Sequence, residues 1–269
     1  MERARELPLE SFRLTAYWDI QFIRQPVPQE RKTRYIMRVA QSENYGLACG
    51  LSSGLPDLDP DFVGKDVRQI LKHRLCRNRI DRTAFVDLVM GHLSQSAGEY
   101  VTLESALRDK YLDRARIFAQ EAENIIQGKG VKHLKGNGAH VLVIGATAGI
   151  IGALTKRGFE VSATDLSPAV VGTELGGVKV CNARFANASL MKRADLAIIT
   201  GMTLPNRTLP GLMKLAKQHN TSTIIWAITG RNFGYYYTEH GADCVISDPS
   251  PFLLLPGPAR FAIHRRGLP

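Results

Sequence analysis

A strand, a glycine-rich turn, a helix and a second strand follow one another between His140 and Pro168, in the segment HVLVIGATAGIIGALTKRGFEVSATDLSP. The apolar runs that end at Gly145 and at Asp165 are typical of parallel strands joined by a crossover helix. Asp165 lies 20 residues after Gly145, where an acidic side chain can accept hydrogen bonds from both hydroxyls of a ribose. This order predicts a βαβ unit that binds a nucleotide-like ligand. The alternative is a βαβ unit whose glycines serve packing only.

The turn reads G-A-T-A-G-I-I-G and so differs from the G-x-G-x-x-G fingerprint of dinucleotide-binding proteins. We expect Gly145 to permit the tight turn, Gly149 to let a ligand approach the backbone, and Gly152 to let the helix pack on the sheet. Thr147 stands near the position of the second fingerprint glycine, where a side chain crowds a diphosphate. S-adenosylmethionine (SAM) has no phosphate, so the spacing favours SAM, with a dinucleotide or no nucleotide as open alternatives.

This segment resembles the first two motifs of class I SAM-dependent methyltransferases. It departs from them inside the first strand, where many of those enzymes carry an acidic residue and this chain has Val143 and Ile144. Without that acidic residue, the first strand offers no carboxylate to bind the ammonium group of the methionine part of SAM. The resemblance implies SAM contacts along the turn and the neighbouring strand ends, by Gly145, Ala146, Thr147, Gly149, Asp165, Leu166, Thr200 and Gly201.

Strand-like runs alternate with helical patterns throughout the second half of the chain. Such alternation predicts a parallel sheet with helices on both faces, and ligands bind such sheets at the carboxyl ends of the strands. We therefore predict an α/β fold, with a Rossmann-like doubly wound parallel sheet in residues 136–269. The candidate strands are Val141–Ile144, Glu160–Thr164, Val178–Cys181, Leu196–Thr200, Thr223–Ile228 and Cys244–Ile246, and Leu209–His219 is the clearest helix.

The first half is predicted to form a smaller α+β domain, residues 1–135, that serves as a lid or in dimerisation. Gly128 to Gly138, rich in Gly and Lys, is interpreted as the linker between the domains. The patterns predict a hairpin of Arg34–Val39 and Tyr45–Leu51, a helix over Gly64–Leu75, a helix capped by Asp81, and a long helix capped by Thr102 that ends at Gly128.

A second loop, TGMTLPN, follows the fourth candidate strand. Asn206 offers a donor and an acceptor to a ligand, and the alternative is a turn-forming Asn held by its own backbone. Thr208 can cap the helix that follows. We take Asn206, Thr203 and Tyr236 as candidate catalytic residues.

The aromatic residues after the fifth strand could hold the SAM sulfonium by cation–π attraction. The alternative is a helix that packs its rings onto the sheet, ending at Gly241, with at least one tyrosine hydroxyl facing the cleft. The aromatic residues are Trp226, Phe233, Tyr235, Tyr236 and Tyr237.

No general-base constellation for an external acceptor can be recognised. SAM-using enzymes exist in which the SAM amino group attacks its own γ-carbon, giving azetidine-2-carboxylate and methylthioadenosine. The leading hypothesis is therefore a SAM-binding enzyme of small-molecule biosynthesis that either cyclises SAM or transfers its methyl group to a small acceptor. The alternatives are a heavy-metal-binding protein and an NAD(P)-dependent reductase. The sequence contains no Y-x-x-x-K catalytic pair, which argues against the reductase.

A family resemblance adds to this reading. TGMTLPNRTL, the strand ADLAII before it and TIIWAITGRNFGYYYTEHGADCVIS after it look like the bacterial and archaeal family named the putative heavy-metal-chelation domain, a family of unknown function. The resemblance covers about Val141 to Ser247. It implies an enolase N-terminal-like domain coupled to an atypical Rossmann-like domain, with a site in the cleft between them.

The sequence gives the metal hypothesis little support of its own. Chelation needs converging soft or imidazole ligands, and only His73 and Cys76, three residues apart on a predicted helix, could share a face. The four cysteines form no C-x-x-C pair, which argues against a disulfide framework and a zinc ribbon. We therefore predict no metal site.

The charge and composition of the chain limit the classes of partner that it is expected to bind. The net charge is +10, much of it between Lys65 and Arg82, and such a run is usually a solvated helix face. A small-molecule substrate fits better than nucleic acid, because no aromatic-interleaved basic motif occurs. We find no signal peptide and no membrane-spanning run, so we expect a cytoplasmic protein without a membrane partner. A homodimer is kept as an open alternative to a monomer.

Overall fold

The structure is a computed structural model of the chain. It describes residues 12–24, 33–51, 59–72, 76, 78–93, 98–128, 138–250 and 256–267. Within these residues the strands form two sheets, one of three strands and one of nine. We call residues 12–93 the small unit and residues 98–267 the large unit.

The small unit is an antiparallel sheet covered on one face by two helices. Its strands are β1 (Ala16–Arg24), β2 (Thr33–Gln41) and β3 (Tyr45–Leu51), and its helices are α1 (Val67–Lys72) and α2 (Arg79–Leu93). The predicted hairpin is confirmed as β2 and β3. Strand β1 was not predicted. The prediction that Asp81 caps a helix is wrong: α2 begins at Arg79, so Asp81 lies inside the helix, where its side chain pairs with the buried Arg38.

The large unit is built on six parallel strands with helices on both faces. Counted along the chain, the parallel strands lie in the order third, second, first, fourth, fifth, sixth, which is the Rossmann order. The parallel strands are β5 (His140–Ile144), β6 (Glu160–Asp165), β8 (Val178–Asn182), β9 (Leu196–Thr200), β10 (Ser222–Ala227) and β11 (Cys244–Ser247). The predicted fold class, α/β and Rossmann-like with a smaller N-terminal α+β unit, is confirmed.

Short or antiparallel strands complete the two edges of the large sheet. At one edge β12 (Ala259–Arg265) pairs with β11 and β4 (Glu99–Leu103) pairs with β12; at the other, β7 (Glu174–Leu175) pairs with β8. Thr102 was predicted to cap a helix, but it lies in β4 opposite Arg260. Its partner strand is distant in sequence, so no local pattern could show the pairing. The large sheet thus includes residues from both sides of the predicted boundary between 135 and 136.

The helices bury the two faces of the large sheet. Helices α3 (Leu107–Gly128) and α4 (Ala148–Lys156) cover one face, and α5 (Ala183–Arg193), α6 (Leu209–His219) and α7 (Gly234–Glu239) cover the other. All five residues of β5 are buried, as expected of a central parallel strand packed on both sides. Among the helices that are described, none combines the length and the apolar composition needed for a membrane span.

The small unit contacts the loops that follow β9 and β10. Met37, Val39, Leu47 and Cys49 form an apolar cluster against which Met202 and Ile228 pack. Hydrogen bonds join the units as well: Cys49 N donates to the side-chain Oγ1 of Thr229 at 2.8 Å, and Gly230 N donates to Leu47 O at 3.2 Å. The small unit therefore covers part of the carboxyl edge of the large sheet.

Asp87 is a buried carboxyl group on α2 that holds these loops to the helix. It accepts hydrogen bonds from Leu47 N at 2.8 Å and from Asn232 N at 2.9 Å. Burial raises the pKa of Asp87 to about 8, while backbone N–H groups of Leu47, Asn232 and Arg231 lower it. The net shift means that the folded protein holds this proton more tightly than the unfolded chain does.

We predict that Asp87 makes the protein less stable as the pH rises from 5 to 8. In this window the unfolded chain has already lost the proton that the folded protein retains, so raising the pH favours unfolding, by at most about 1.4 kcal/mol per pH unit. Urea denaturation at several pH values measures the slope. Asp87→Asn removes the titrating group and should have a flatter profile; parallel profiles for the two proteins would contradict the assignment.

Arg38 is the centre of a buried ion-pair network in the small unit. It is 1% exposed, and its guanidinium lies 3.1 Å from Asp19 Oδ2 and 3.2 Å from Asp81 Oδ1. Because both carboxylates face the same cation, removing it leaves buried negative charge without compensation.

Arg38→Met should therefore lower the free energy of unfolding by about 3–5 kcal/mol. Arg193→Met is the matched control, because Arg193 pairs with Glu160 at 3.7 Å on the surface, where a pair contributes at most about 1 kcal/mol. Chemical denaturation of both variants measures the difference, and equal losses would show that the buried network is not important for stability.

Candidate functional site

The candidate site lies where β5 ends, between β6 on one side and β9 on the other. Both neighbours run parallel to β5, and the chain order of the sheet reverses between β5 and β9. In doubly wound sheets the loops diverge at this point and leave a crevice, which is where ligands bind. Residues at the ends of these three strands are therefore the candidates for contact with a ligand.

Gly145 makes the tight turn that the sequence predicted. Its φ is +90°, a conformation that side chains other than glycine rarely adopt. A Cβ at this position would lie 2.5 Å from Cγ2 of Thr200, so Thr200 at the end of β9 packs directly against the turn. Two of the predicted ligand-binding residues are thus in contact across the switch point.

Asp165 turns back towards the glycine-rich turn. Its Oδ2 accepts a hydrogen bond from Ala146 N at 3.1 Å, and its Oδ1 accepts one from Ser167 N at 2.8 Å. The carboxylate therefore lies beside the turn rather than out in solvent.

Two exposed apolar side chains follow the neighbouring ends of β6 and β8. Leu166, the next residue, is 43% exposed, and Phe185 in the first turn of α5 is 83% exposed. The two strand ends are neighbours, because Asp165 pairs in register with Asn182, the N-cap of α5. Thr164 Oγ1 also donates to Asn187 Oδ1 at 2.7 Å, which fixes the start of α5 against the end of β6. Phe185 was not predicted, and only its place after the third strand could have indicated it.

The other glycines of the turn have different surroundings from those expected. A Cβ at Gly149 would lie 3.7 Å from the Cβ of Ala115, so its missing side chain leaves room for α3; ligand contact through its backbone stays a prediction. A Cβ at Gly152 would meet open space, so the predicted packing of Gly152 on the sheet is wrong. Thr147 is the N-cap of α4 but makes no side-chain capping bond.

A groove of about 410 Å³ lies on the outer side of α4, between α4 and α3. Small residues such as Ala115, Ala119 and Gly152 form its floor, and Arg116 and Lys156 flank it. Its lining does not include Asp165, Leu166 or Thr200. The groove is therefore a separate surface feature and not the strand-end crevice.

The second predicted loop holds its polar side chains through local bonds. Thr203 is buried and its hydroxyl donates to Thr200 O at 2.6 Å. Asn206 is exposed, and its Oδ1 accepts from Thr208 N at 3.0 Å and from Thr208 Oγ1 at 2.7 Å. Thr208 does occupy the N-cap of α6, but its hydroxyl binds Asn206 instead of capping the helix. The turn-forming role weighed for Asn206 is thus present, and its ligand contact stays a prediction.

The candidate aromatic residues, of which Trp226 lies in β10 and the others follow it, fall into two groups. Trp226 packs edge-on against Phe118 of α3. Phe233 instead stacks on Tyr237 at 5.5 Å, on the face of the sheet covered by α7. The rings of the two groups therefore do not surround one common space in which a sulfonium could be held. Phe233 and Tyr237 pack onto the sheet, which is the alternative given in the sequence analysis.

The tyrosines of α7 point in different directions. Tyr236 is half-exposed and stacks on His240. The hydroxyl of Tyr237 is buried and has no hydrogen-bond partner among the described residues, and it lies 2.7 Å from where a Cβ of Gly230 would be. Leu204 of the second loop touches the same point at 3.2 Å. Tyr237 thus directs its hydroxyl towards the loops at the carboxyl edge, and the role expected of Tyr236 stays a prediction.

Metal coordination has no evident centre. In the described part of the chain, no three His, Cys, Asp or Glu side chains are grouped so that they could hold an ion. His73 lies outside the described residues. Burial raises the pKa of the Cys76 thiol to about 12, and its Sγ donates to Asn78 O.

A charged cluster lies at the ends of β10 and β11, and sequence reasoning missed it. Asp248 follows β11 and is fully buried, and Arg114 of α3 donates to its Oδ2 at 3.3 Å. Arg231, in the turn after β10, lies near Asp248 and over the ring of Tyr45, 4.5 Å from its centroid. Arg231 and Asp248 follow parallel strands, so the rule that ligands bind at the carboxyl ends of such strands could have indicated them. Nothing in the helical pattern of α3 distinguishes Arg114 from its neighbours.

Comparisons with known proteins support the fold. A family model described as "Putative heavy-metal chelation" (DUF364) matches residues 127–227, which confirms the predicted family resemblance over that stretch. No curated protein sequence matches the chain.

Two crystal structures are similar over almost the whole chain. One is a protein from Desulfitobacterium hafniense, 14% identical, covering 97% of this chain and 95% of its own, with a TM-score of 0.55. The other is from Pyrococcus horikoshii, 10% identical, covering 98% and 97%, with a TM-score of 0.52. Both are described as DUF364 proteins of unknown function, so they show which fold this chain shares with that family.

Proposed function

We propose that this protein binds SAM in the crevice at the ends of β5, β6 and β9 and acts on a small molecule. The observation that carries the proposal is the position of the Asp165 carboxylate beside the glycine-rich turn. A carboxylate at the end of the second strand, next to the turn, is where a ribose can be held by its two hydroxyls.

The surroundings of Asp165 support a nucleoside rather than a bare sugar. Leu166 and Phe185 offer exposed apolar surface on the side of the crevice away from β5. A purine ring can stack on such an aromatic side chain, which typically contributes about 1–3 kcal/mol per base.

The tight turn favours SAM over a dinucleotide. Thr147 carries a side chain at the position where pyrophosphate-binding turns have a glycine, and Thr200 packs against Gly145 on the β9 side. SAM needs no diphosphate site and places its sulfonium beyond the ribose, towards β9. NAD⁺ and NADP⁺ belong in the same binding experiment as competitors.

Two reactions fit such a site, and both use SAM as an alkylating agent. In methyl transfer a nucleophile of a small acceptor takes the methyl group and S-adenosylhomocysteine leaves. In cyclisation the neutral SAM amine attacks its own γ-carbon, the C–S bond breaks, and azetidine-2-carboxylate and methylthioadenosine form with loss of the amine proton. Positioning of the attacking atom supplies much of the rate in either case, and Thr203, Asn206 and Tyr236 remain the candidate positioning groups.

Incubation of the protein with SAM alone, followed by mass spectrometry, separates the two reactions. Methylthioadenosine and a product with the mass of azetidine-2-carboxylate indicate cyclisation. Turnover that starts only when a small acceptor is added, with S-adenosylhomocysteine as product, indicates methyl transfer. Turnover of neither kind, together with no binding of SAM, would reject the proposal.

Asp165→Asn should weaken SAM binding by about 10- to 100-fold, because a charge-assisted bond to the ribose becomes a neutral one. Isothermal titration calorimetry with SAM measures the change. Asp195→Asn is the matched control: Asp195 also accepts a backbone N–H, from His140 at 2.8 Å, but at the amino end of β9. Similar losses in both variants would place the ligand somewhere other than this crevice.

Phe185→Ala should weaken SAM binding by about 5- to 100-fold through loss of stacking, and it should leave the thermal midpoint unchanged because the side chain is exposed. Leu112→Ala, which truncates an exposed apolar residue on α3, should leave the affinity as it is. Sedimentation at matched concentrations checks self-association. If Phe185→Ala changes only self-association, the apolar surface is a contact between copies and not part of a nucleoside site.

A further inference from the structure

The charged cluster formed by Arg114, Arg231 and Asp248 lies next to the proposed SAM crevice along the carboxyl edge of the large sheet. Arg231 and Asp248 follow the neighbouring strands β10 and β11, and Arg114 reaches them from α3. Tyr45 of the small unit covers the Arg231 guanidinium. The cluster is therefore built at the contact between the two units. We call it the arginine cluster.

Asp248 has its acceptor positions filled by other donors. Its Oδ1 accepts from Ser250 N at 2.9 Å and from Ser250 Oγ at 2.7 Å. Its Oδ2 accepts from Trp226 Nε1 at 3.0 Å and from Arg114 Nη1 at 3.3 Å. A carboxylate has about four lone-pair directions, so these four bonds saturate it. Arg231 feels its charge but makes no ion pair with it in the described structure.

Two guanidinium atoms of the cluster lack partners. Arg114 is 8% exposed, and its Nε has no hydrogen-bond partner among the residues described. Nη1 of Arg231 is likewise buried and unpaired within that set. Among the residues that the structure describes, two guanidinium groups face one carboxylate, which leaves one positive charge uncompensated. Burying such a charge is costly unless an anion joins it.

We propose that the arginine cluster binds the carboxylate group of a small-molecule substrate. A carboxylate supplies the one negative charge that the cluster lacks, and its two oxygens match the fork of a guanidinium. Both unpaired atoms are closed to solvent, so the ligand enters when the Tyr45 ring, half-buried at the start of β3, moves off Arg231. The inference goes beyond the proposed function and holds whether or not the adenosyl group binds.

The carboxylate could belong to the amino-acid tail of SAM or to a separate substrate, and the protein contains a reporter that separates these cases. Trp226 donates to Asp248 and lies under Arg114, and the only other tryptophan of the sequence is Trp18. In a Trp18→Phe background, Trp226 fluorescence therefore reports on the cluster. The probes are sodium succinate, L-methionine, inorganic phosphate, SAM and methylthioadenosine, titrated at constant ionic strength.

We expect a saturable change in Trp226 fluorescence with the carboxylates, weakened at least tenfold by Arg231→Met and less by Arg231→Lys. Arg193→Met is the charge control, because Arg193 is exposed in the last turn of α5, by the amino end of β9 and so at the opposite edge of the sheet from the cluster. It removes the same charge and should leave the titration unchanged. Circular dichroism and thermal melting establish that each variant is folded.

The arms of the experiment give different outcomes. If Arg231→Met weakens SAM binding but not methylthioadenosine binding, the cluster holds the SAM tail; if it weakens only succinate or L-methionine binding, the cluster holds a separate substrate. A response to carboxylates without any SAM binding would support the cluster and reject the proposed function. No saturable carboxylate response, an equal response in Arg231→Met, or tighter binding of inorganic phosphate would overturn the inference.

Discussion

The hydrogen bond between the Asp165 carboxylate and the backbone N–H of Ala146 joins the ends of the first two parallel strands. It fixes the glycine-rich turn against β6, and Gly145 can make that turn only because it has no side chain to collide with Thr200. With the turn held, β5, β6 and β9 end side by side at the switch point, which is where doubly wound sheets bind their ligands. The proposed ligand site depends on this arrangement.

The small unit completes the same edge of the sheet. The Asp87 side chain accepts a hydrogen bond from a backbone N–H of the turn after β10 and so holds that turn in place. Met202 and Ile228, in the loops after β9 and β10, pack against apolar side chains of β2 and β3. Arg231 lies in that turn, so the contact between the units also positions the arginine cluster. Nucleoside recognition at one end of the edge and carboxylate recognition at the other would suit a substrate or substrate pair that carries both groups.

Local pattern was sufficient for much of this architecture. The strand, turn and helix order around Gly145, the hairpin of β2 and β3, and helix α6 were predicted because each is encoded in a short stretch of sequence. The pairing of β4 with β12 was missed because the partners are far apart in the chain, and Asp81 was misread as a cap because its partner Arg38 lies on another element. For the same reason the sequence indicated strand-end loops but not Phe185 or Arg114, whose roles depend on what packs beside them.

A crystal structure of the protein with S-adenosylhomocysteine tests the central claim most directly. The account predicts that the ribose hydroxyls lie within hydrogen-bonding distance of Asp165, with the adenine against Leu166 and Phe185 and the amino-acid tail directed towards β9. Density for the ligand in the groove between α3 and α4, or a crevice that stays closed by protein side chains at saturating ligand, would contradict it.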